Sequence, residues 1–232
     1  IGALVTRASH ETPLRQVPLQ LRHAALGAVA LALAVLTYRQ ARIYVDAKTL
    51  WSDTLGKNPA AWLAHNNLGE ILLKEGRERE ARGHFEEALR LNPEFVEAMV
   101  SLGFARAQAG ELDEAVLLYR RALSIHPTNA LCFTNLGAAL LQQGKPEDAK
   151  TAFWQALRAR PERAEYHRNY ALVLARTGDL QGAVSSYEEA VARAPQNVLV
   201  LVELARLLVR SRKADAARIP DGVARYAACL ER

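Results

Sequence analysis

Apolar and small residues recur at helical spacing along most of the chain, and polar residues fill the positions between them. Near the start of this pattern, Leu68-Gly69 and Leu72 fall on one face of a helix. Gly76 follows, and glycine is common just after the last residue of a helix. This stretch predicts an amphipathic helix that ends at a turn.

A second amphipathic helix is predicted directly after this turn. Ala81, Phe85 and Ala88 are spaced by four and three residues, which places them in one apolar stripe. Asn92-Pro93 ends the helix, because proline cannot donate the next helical hydrogen bond and restricts the residue before it. Residues 62–93 are therefore predicted to form a helix pair.

This pair recurs with a period of 34 residues. The residues that keep the interval are Pro59, Pro93, Pro127, Pro161 and Pro195; Gly76, Gly110, Gly144 and Gly178; Ala81, Ala115, Ala149 and Ala183; and Trp51, Phe85, Tyr119, Phe153 and Tyr187. Such agreement predicts a tandem array. The small residues Gly69, Gly103 and Gly137 are expected to let the partner helix approach, and the aromatic residues to fill the space between units.

The pattern resembles the tetratricopeptide repeat, with Leu-Gly early, a glycine at the turn, Ala-x-x-x-aromatic-x-x-Ala in the second helix and a final proline. The resemblance implies an all-α fold, a right-handed superhelical α-solenoid of antiparallel helix pairs. It also implies a protein–protein interaction scaffold that binds an extended peptide or a partner helix in a concave groove. No enzymatic activity, metal or cofactor is expected of this chain.

Four parts are predicted along the chain. They are a polar and basic segment (1–22), a hydrophobic helix (23–44), the repeat array (45–195) and a degenerate repeat with a capping helix (196–232). The array comprises a half repeat at 45–59 and full repeats at 62–93, 96–127, 130–161 and 164–195. In the degenerate repeat, Arg212 replaces the turn glycine and Pro220 interrupts the second helix. Asp221 is predicted to cap a replacement helix.

Residues 24–38 contain no charge and predict a membrane helix, with membrane contact over 19–38. A spanning helix needs about 20 apolar residues. The longer range reaches that length but includes Arg22 and His23, whose side chains can extend to the interface. The alternatives are an alanine-rich helix packed on the first repeat and a cleaved signal peptide. Basic residues flank the helix almost evenly, so they do not set its orientation.

The order of an alanine- and leucine-rich helix, YVDAKTLWSDTLGKNP and AHNNLG resembles the end of multi-spanning bacterial membrane proteins related to repeat-bearing protein O-mannosyltransferases. This resemblance implies a membrane-associated array on the side opposite the cytoplasm, the periplasm. It also implies an alternative function. The array would be the substrate-presenting or regulatory tail of a membrane glycosyltransferase whose catalytic part is absent from this chain.

The sixth position of each unit is predicted to line the groove. Its residues are Asn67, Ser101, Asn135, Asn169 and Glu203. The asparagines resemble the ladder with which some tetratricopeptide repeat proteins grip peptide backbone, since a carboxamide both donates and accepts hydrogen bonds. The alternative is that they cap neighbouring carbonyls or are solvated.

Further candidate peptide-binding residues are Asn66, Arg168, Arg176 and Lys74, with Arg210 near a helix end. Arg168 and Arg176 lie about two turns apart on one helix and are candidates for clamping a carboxylate. Solvated charges on a helix face are the alternative. Phe104, Leu172 and Leu73 are candidate apolar contacts in the groove or parts of the core between units.

Charge and composition argue against other functions. The formal net charge is +5, but residues 1–60 hold seven basic and three acidic residues, which leaves +1 for residues 61–232. A nucleic-acid partner requires a basic stripe and is therefore not expected. The six histidines show no metal-ligand spacing, and His65 and His167 take a packing position of the repeat. The two cysteines, Cys132 and Cys229, are expected to be free and semi-buried.

Overall fold

A computed structural model of the chain describes residues 19–43 and 46–211. The helices of these residues are α1 (Leu19–Ile43), α2 (Ala47–Lys57), α3 (Trp62–Lys74), α4 (Glu78–Leu91), α5 (Val96–Gln108), α6 (Leu112–Ile125), α7 (Ala130–Gln142), α8 (Pro146–Ala159), α9 (Ala164–Thr177), α10 (Leu180–Arg193) and α11 (Val198–Ser211). The described residues contain no strand, so the predicted all-α fold class is confirmed. The predicted capping helix after Asp221 and the cysteine Cys229 lie outside the described residues.

The described residues fall into two compact units, which divide between Lys57 and Asn58. In the first unit, α1 and α2 contact each other, so α2 groups with α1, although the sequence pattern assigned it to the array. Asp46 precedes α2 and caps it, because its carboxylate accepts hydrogen bonds from the backbone nitrogens of Lys48 and Thr49 at 3.2 and 3.1 Å.

The apolar side chains of α1 are exposed along its central part. Leu26 and Leu31 are 66% and 67% exposed, and Val29 and Leu33 are more than half exposed. No helix among the described residues is long and apolar enough to cross a membrane. The predicted spanning helix is therefore not supported, since the charge-free stretch 24–38 is shorter than the roughly 20 apolar residues that a span requires.

In the second unit, consecutive helices pack as pairs, in the order α3–α4, α5–α6, α7–α8 and α9–α10, and α11 packs on α10. The four pairs lie within residues 62–93, 96–127, 130–161 and 164–195. A glycine with a φ angle between 73° and 90° stands at the turn inside each pair. Gly144, for example, follows α7 and donates its backbone N–H to the carbonyl of Leu141 at 3.1 Å. L-residues with a side chain rarely adopt this left-handed conformation, which explains the glycine of the repeat pattern.

The glycine of the Leu-Gly pair lets an aromatic ring of the second helix lie directly on the first helix of the same unit. A Cβ atom added to Gly103 would stand 2.7 Å from Cε1 of Tyr119 in the same unit. Gly69 and Gly137 have the same relation to Phe85 and Phe153, with 2.7 and 2.9 Å. The predicted close approach is therefore confirmed. It is made by the ring of the partner helix.

The core continues from one unit to the next. One cluster of buried residues extends from Val96 on α5 to Val173 on α9 and includes Met99, Tyr119 and Phe153. A second cluster joins α9 and α10 to α11, where Leu204 is fully buried. The aromatic residues thus also fill the space between units, as predicted. Burial against the neighbours stabilises each pair, because a single pair cannot cover its own apolar face.

Neighbouring units are also joined at the prolines that end them. Arg193 donates from Nε to the carbonyl oxygen of Pro161 at 2.9 Å. Nε2 of His167 lies 2.8 Å from the same oxygen, and Nε2 of His65 lies 3.1 Å from that of Pro59. His167 is buried, which agrees with its predicted packing role. A carbonyl oxygen at the end of a helix has no hydrogen-bond partner inside that helix, and these side chains supply one.

Candidate functional site

The first helices of the units form one continuous surface. Direct contacts join α3 to α5, α5 to α7 and α7 to α9, whereas the second helices of neighbouring units make no comparable contact among the described residues. In a solenoid, the helices that contact each other from unit to unit line the inner surface. We call the surface formed by α3, α5, α7, α9 and α11 the groove.

Four positions on each of α3, α5, α7 and α9, and the first three equivalent positions on α11, face this groove. They are spaced by four, three and four residues, so they share one helical stripe. On α7 they are Leu131, Asn135, Ala138 and Gln142, all exposed or half-buried. The equivalent positions are exposed or half-buried on α3, α5 and α9 as well, and so are the first three of them on α11.

The predicted asparagine ladder lies on this stripe. Asn67, Asn135 and Asn169 are all half-buried on their first helices. Among the described residues, the side chains of Asn67 and Asn135 form no hydrogen bond, whereas Oδ1 of Asn169 accepts one from Arg168 at 3.4 Å. Two of the three carboxamides therefore keep their full hydrogen-bonding capacity for a ligand.

Asn66 lies elsewhere. Its side chain is buried, with 3% exposed, and Nδ2 donates to Oε1 of Glu70 at 3.2 Å. Its Oδ1 has no hydrogen-bond partner among the described residues. One position along a helix corresponds to a rotation of about 100°, which turns this side chain away from the stripe of Asn67. Asn66 therefore does not join the groove residues with which it was predicted.

The two arginines of the predicted clamp differ from each other in the structure, because only Arg168 forms an ion pair with another described residue. Arg168 pairs with Glu203 of α11, with 2.8 Å from Nε to Oε2 and 2.6 Å from Nη2 to Oε1. Its guanidinium is thus occupied within the chain. Arg176 is exposed at the end of α9 and Lys74 at the end of α3, and neither forms an ion pair with another described residue.

A cleft opens in the groove between α5 and α7, with a volume of about 130 Å³. It is lined by Phe104, Ala107, Gln108, Tyr119, Asn135, Ala138, Ala139 and Gln142. Phe104 is 41% exposed at its edge, and Tyr119 is 1% exposed at its base. Burial raises the pKa of the Tyr119 phenol, so this group stays neutral. We call this space the aromatic cleft.

The sequence analysis included Asn135 and Phe104 but missed both glutamines of the aromatic cleft. Gln108 and Gln142 occupy the same repeat position as Lys74 and Arg176. This shared repeat position was the signal in the sequence that could have identified both glutamines as groove residues. Neither glutamine forms a side-chain hydrogen bond to another described residue.

A wider cavity of about 430 Å³ lies at the turns between units, next to Arg160, Arg163 and Tyr166. Its arginines face acidic neighbours, because Arg163 lies 3.3 Å from Glu165 and Arg160 lies 3.9 Å from Glu162. In the part of the chain that the structure describes, no three metal-ligating side chains cluster.

The sequence matches the family model of the tetratricopeptide repeat over residues 31–82, 72–130 and 134–198, which is more than half of the chain. The chain belongs to the tetratricopeptide repeat family. Its first match includes the C-terminal part of α1 and all of α2, so the tetratricopeptide repeat pattern extends into the first compact unit. No curated protein matches the sequence significantly.

Solved tetratricopeptide repeat structures share the fold. YrrB, a tetratricopeptide repeat protein with an unusual peptide-binding site, superposes with a TM-score of 0.62 at 18% identity, covering 76% of this chain and 91% of YrrB. PilF of Pseudomonas aeruginosa gives 0.67 at 21% identity, covering 91% and 92%. MamA of Desulfovibrio magneticus RS-1 gives 0.63 at 20% identity, covering 74% and 97%. The relation to O-mannosyltransferase proteins stays a prediction.

Proposed function

We propose that the tetratricopeptide repeat array holds an extended segment of a partner protein in its groove, with the aromatic cleft as the anchoring site. The observation that carries this proposal is the position of an exposed Phe104 beside the uncommitted carboxamides of Asn135, Gln108 and Gln142. Members of this family generally act as scaffolds that bind proteins or peptides. YrrB, which shares the fold, has a peptide-binding site.

The chemistry of the aromatic cleft suits a peptide. A carboxamide donates through its NH₂ and accepts through its oxygen, so Asn135 can satisfy both polar groups of a peptide unit whatever its side chain. Ala107 and Ala138 leave open space next to the Phe104 ring. An apolar side chain of the ligand placed there would bury area against the ring.

The base and walls of the cleft belong to the packed part of the unit. Its base is the packed core residue Tyr119, and its walls are helices whose backbones are fixed by their own hydrogen bonds. Such a site loses little conformational entropy on binding, and this favours affinity.

The proposal is tested by displaying random 12-residue peptides and selecting them on the full chain. Selected peptides are then measured by titration against the Asn135→Ala/Asn169→Ala variant and against Phe104→Ala. We expect each variant to weaken binding about tenfold or more, with little change in Tm, since these side chains are partly exposed.

The matched control is Gln155→Ala/Gln181→Ala, which removes two carboxamides from the second helices α8 and α10. It should bind the selected peptides like the unmodified chain. Peptides that bind the groove variants with unchanged affinity would contradict the proposed site.

We also infer that α1 contacts a lipid surface without spanning it. The exposed apolar side chains of α1 support this inference, because water-exposed leucine and valine over several turns are covered in most proteins. Flotation of the full chain with vesicles of phosphatidylcholine and phosphatidylglycerol is the test. Leu31→Asp/Val35→Asp should abolish flotation, and Leu117→Asp, at an exposed position on α6, should not. Flotation that survives the α1 variant would contradict the inference.

The periplasmic location and the role as a tail of a membrane glycosyltransferase rest on sequence resemblance alone. Protease accessibility of the array in intact cells tests the location. An upstream reading frame with several hydrophobic spans would support the enzyme-tail alternative.

A further inference from the structure

Two histidines of the first full repeat (62–93) lie side by side, outside the stripe that faces the groove. His65 on α3 and His84 on α4 are 19 residues apart in the chain, and their Nδ1 atoms are 2.9 Å apart. Both side chains are half-buried, so they remain in contact with solvent. We call these two residues the histidine pair.

The repeat fold does not require histidines at these two positions. The second full repeat carries Met99 and Leu118 there, and both are apolar. The fourth full repeat has His167 at the first position but Ser186 at the second. In the sequence, only the first full repeat combines two imidazoles, so the packing of paired helices does not account for them.

The ring of His65 is oriented as the ring of a metal ligand usually is. Its Nε2 lies 3.1 Å from the carbonyl oxygen of Pro59. A carbonyl oxygen only accepts hydrogen bonds, so Nε2 carries the proton and Nδ1 keeps a free lone pair toward His84. In metal sites, a histidine commonly donates its second ring N–H to a backbone carbonyl, which fixes the ring and its tautomer.

The ring of His84 can adjust to a bound ion. Its contact with His65 is the one hydrogen bond that it forms with a described residue. The ring centroids are 5.2 Å apart, which corresponds to nitrogens that point at each other, with Nδ1 of His84 as the donor. Coordination requires that this proton moves to Nε2 and that the ring turns until both lone pairs point at the ion. Both imidazoles stay neutral, so no net proton is taken up or released.

The distance between the two nitrogens selects the type of ion. Metal–imidazole bonds are about 2.0–2.1 Å long, so two bonds at a right angle place the nitrogens about 2.9 Å apart, whereas a tetrahedral angle places them about 3.3 Å apart. The 2.9 Å of the histidine pair fits the right angle. Right angles belong to the tetragonal geometry of Cu²⁺ and Ni²⁺, whereas Zn²⁺ prefers the tetrahedral one.

Water is left to complete the coordination. Glu87 lies three residues after His84, but both of its carboxylate oxygens bind Arg90, at 2.8 and 2.6 Å. No group of three metal-ligating side chains exists in the part of the chain that the structure describes. The half-buried position of the histidine pair admits water to the remaining sites of a tetragonal ion.

We propose that the histidine pair binds a divalent copper or nickel ion through both Nδ1 atoms, and that the ion joins α3 to α4. Copper binds more tightly, because affinity for imidazole rises along the first-row series to Cu²⁺. An ion that binds the folded chain alone also stabilises it by mass action. This proposal goes beyond the proposed function and does not depend on it, since the histidine pair lies outside the groove stripe.

Calorimetric titration of the full chain with Cu²⁺, in the absence of a histidine tag, tests the proposal. We expect one strong site that binds Cu²⁺ at least about tenfold more tightly than Zn²⁺. His65→Leu and His84→Leu should each weaken Cu²⁺ binding about tenfold or more. Leu201 and Leu118 occupy the equivalent positions in the fifth and second repeats, so leucine suits the packing at both sites.

The matched control is His23→Gln/His126→Gln, which removes two exposed histidines from other parts of the chain. It should retain the strong site. Electron paramagnetic resonance of the bound Cu²⁺ should show splitting from two nitrogen nuclei, and Ni²⁺ should raise the Tm of the control but not that of His84→Leu. If both leucine variants keep the copper affinity of the unmodified chain, or if the unmodified chain has no strong site, the proposal is wrong.

Discussion

Arg168 on α9 and Glu203 on α11 form a two-point ion pair that joins the fourth unit to the fifth, with distances of 2.8 and 2.6 Å. Their side chains are only 26% and 18% exposed. The sequence alone predicted that Arg168 binds a ligand, but in the structure Arg168 binds Glu203. Arg176 is then the arginine of α9 that forms no ion pair with a described residue.

The pair is expected to contribute to stability, because both groups are partly withdrawn from water and the geometry is bidentate. A double-mutant cycle with Arg168→Met and Glu203→Gln, followed by urea unfolding, should give a coupling free energy of about 1 kcal/mol. The control cycle uses Arg163→Met and Glu165→Gln, whose side chains are more than half exposed. The coupling free energy of this control pair should be close to zero. Equal coupling free energies in both cycles would contradict a stabilising role of the Arg168–Glu203 pair.

The glycine under each aromatic ring is expected to be intolerant of a side chain. Gly103→Val should lower the free energy of unfolding by about 1–3 kcal/mol, since its Cβ would overlap the Tyr119 ring. Gly83→Val on α4 is the matched control, because a Cβ there meets no atom within 4 Å. Thermal unfolding of both variants is the measurement. A loss at Gly83 as large as that at Gly103 would show that ring contact is not the cause.

His84 is expected to make stability depend on pH. Burial lowers the pKa of His84, and the neighbouring His65, with Nδ1 atoms 2.9 Å apart, lowers it further. The unfolded chain binds a proton at this residue below about pH 6.5, whereas the folded chain binds it only at lower pH. The unfolded state therefore holds more protons in this window, and stability falls as the pH falls through it.

Urea unfolding at pH 7.5 and 5.5 measures this effect. In His84→Gln the difference between the two pH values should be smaller than in the unmodified chain. His126→Gln, at an exposed turn, should retain the full difference. An unchanged difference in His84→Gln would refute the assignment.

The thiol of Cys132 is expected to be unreactive in the folded chain. Its side chain is fully buried, Sγ lies 3.4 Å from the carbonyl oxygen of Tyr119, and burial raises its pKa to about 12. The thiolate, which is the reactive form, is therefore scarce at pH 8. In a Cys229→Ser background, reaction with Ellman's reagent should be about 100-fold slower in buffer than in denaturing urea. Rapid labelling of the folded variant would contradict the burial.

Much of the array could be predicted because its determinants are local and repeated. The turn glycines need a positive φ angle wherever the first helix ends, and the pattern carries them every 34 residues. Gly103 and Tyr119 meet because two helices joined by a short turn must pack antiparallel, and the same residues recur in the other units. Periodicity turns one weak local signal into several agreeing ones.

The candidate site was predicted only in part. Asn135 and Asn169 lie on the stripe that faces the groove, but Asn66, one position before the stripe residue Asn67, is buried. Neighbouring positions on a helix point in different directions, so one amide can face the ligand while the next is buried. Because both residues are asparagines, the residue types do not show which of them is buried.

The sequence by itself determined the helix pairs, the turns and the small residues under the aromatic rings, because these depend on spacing within one unit. It also determined that the array carries little net charge. Only the tertiary structure decided which groove residues remain free. Arg168 is bound by Glu203 from the next unit, whereas Arg176 and the carboxamide of Asn135 have no partner among the described residues. Such pairing depends on distances of a few ångströms between helices that are far apart in the chain, and the repeat pattern does not encode those distances.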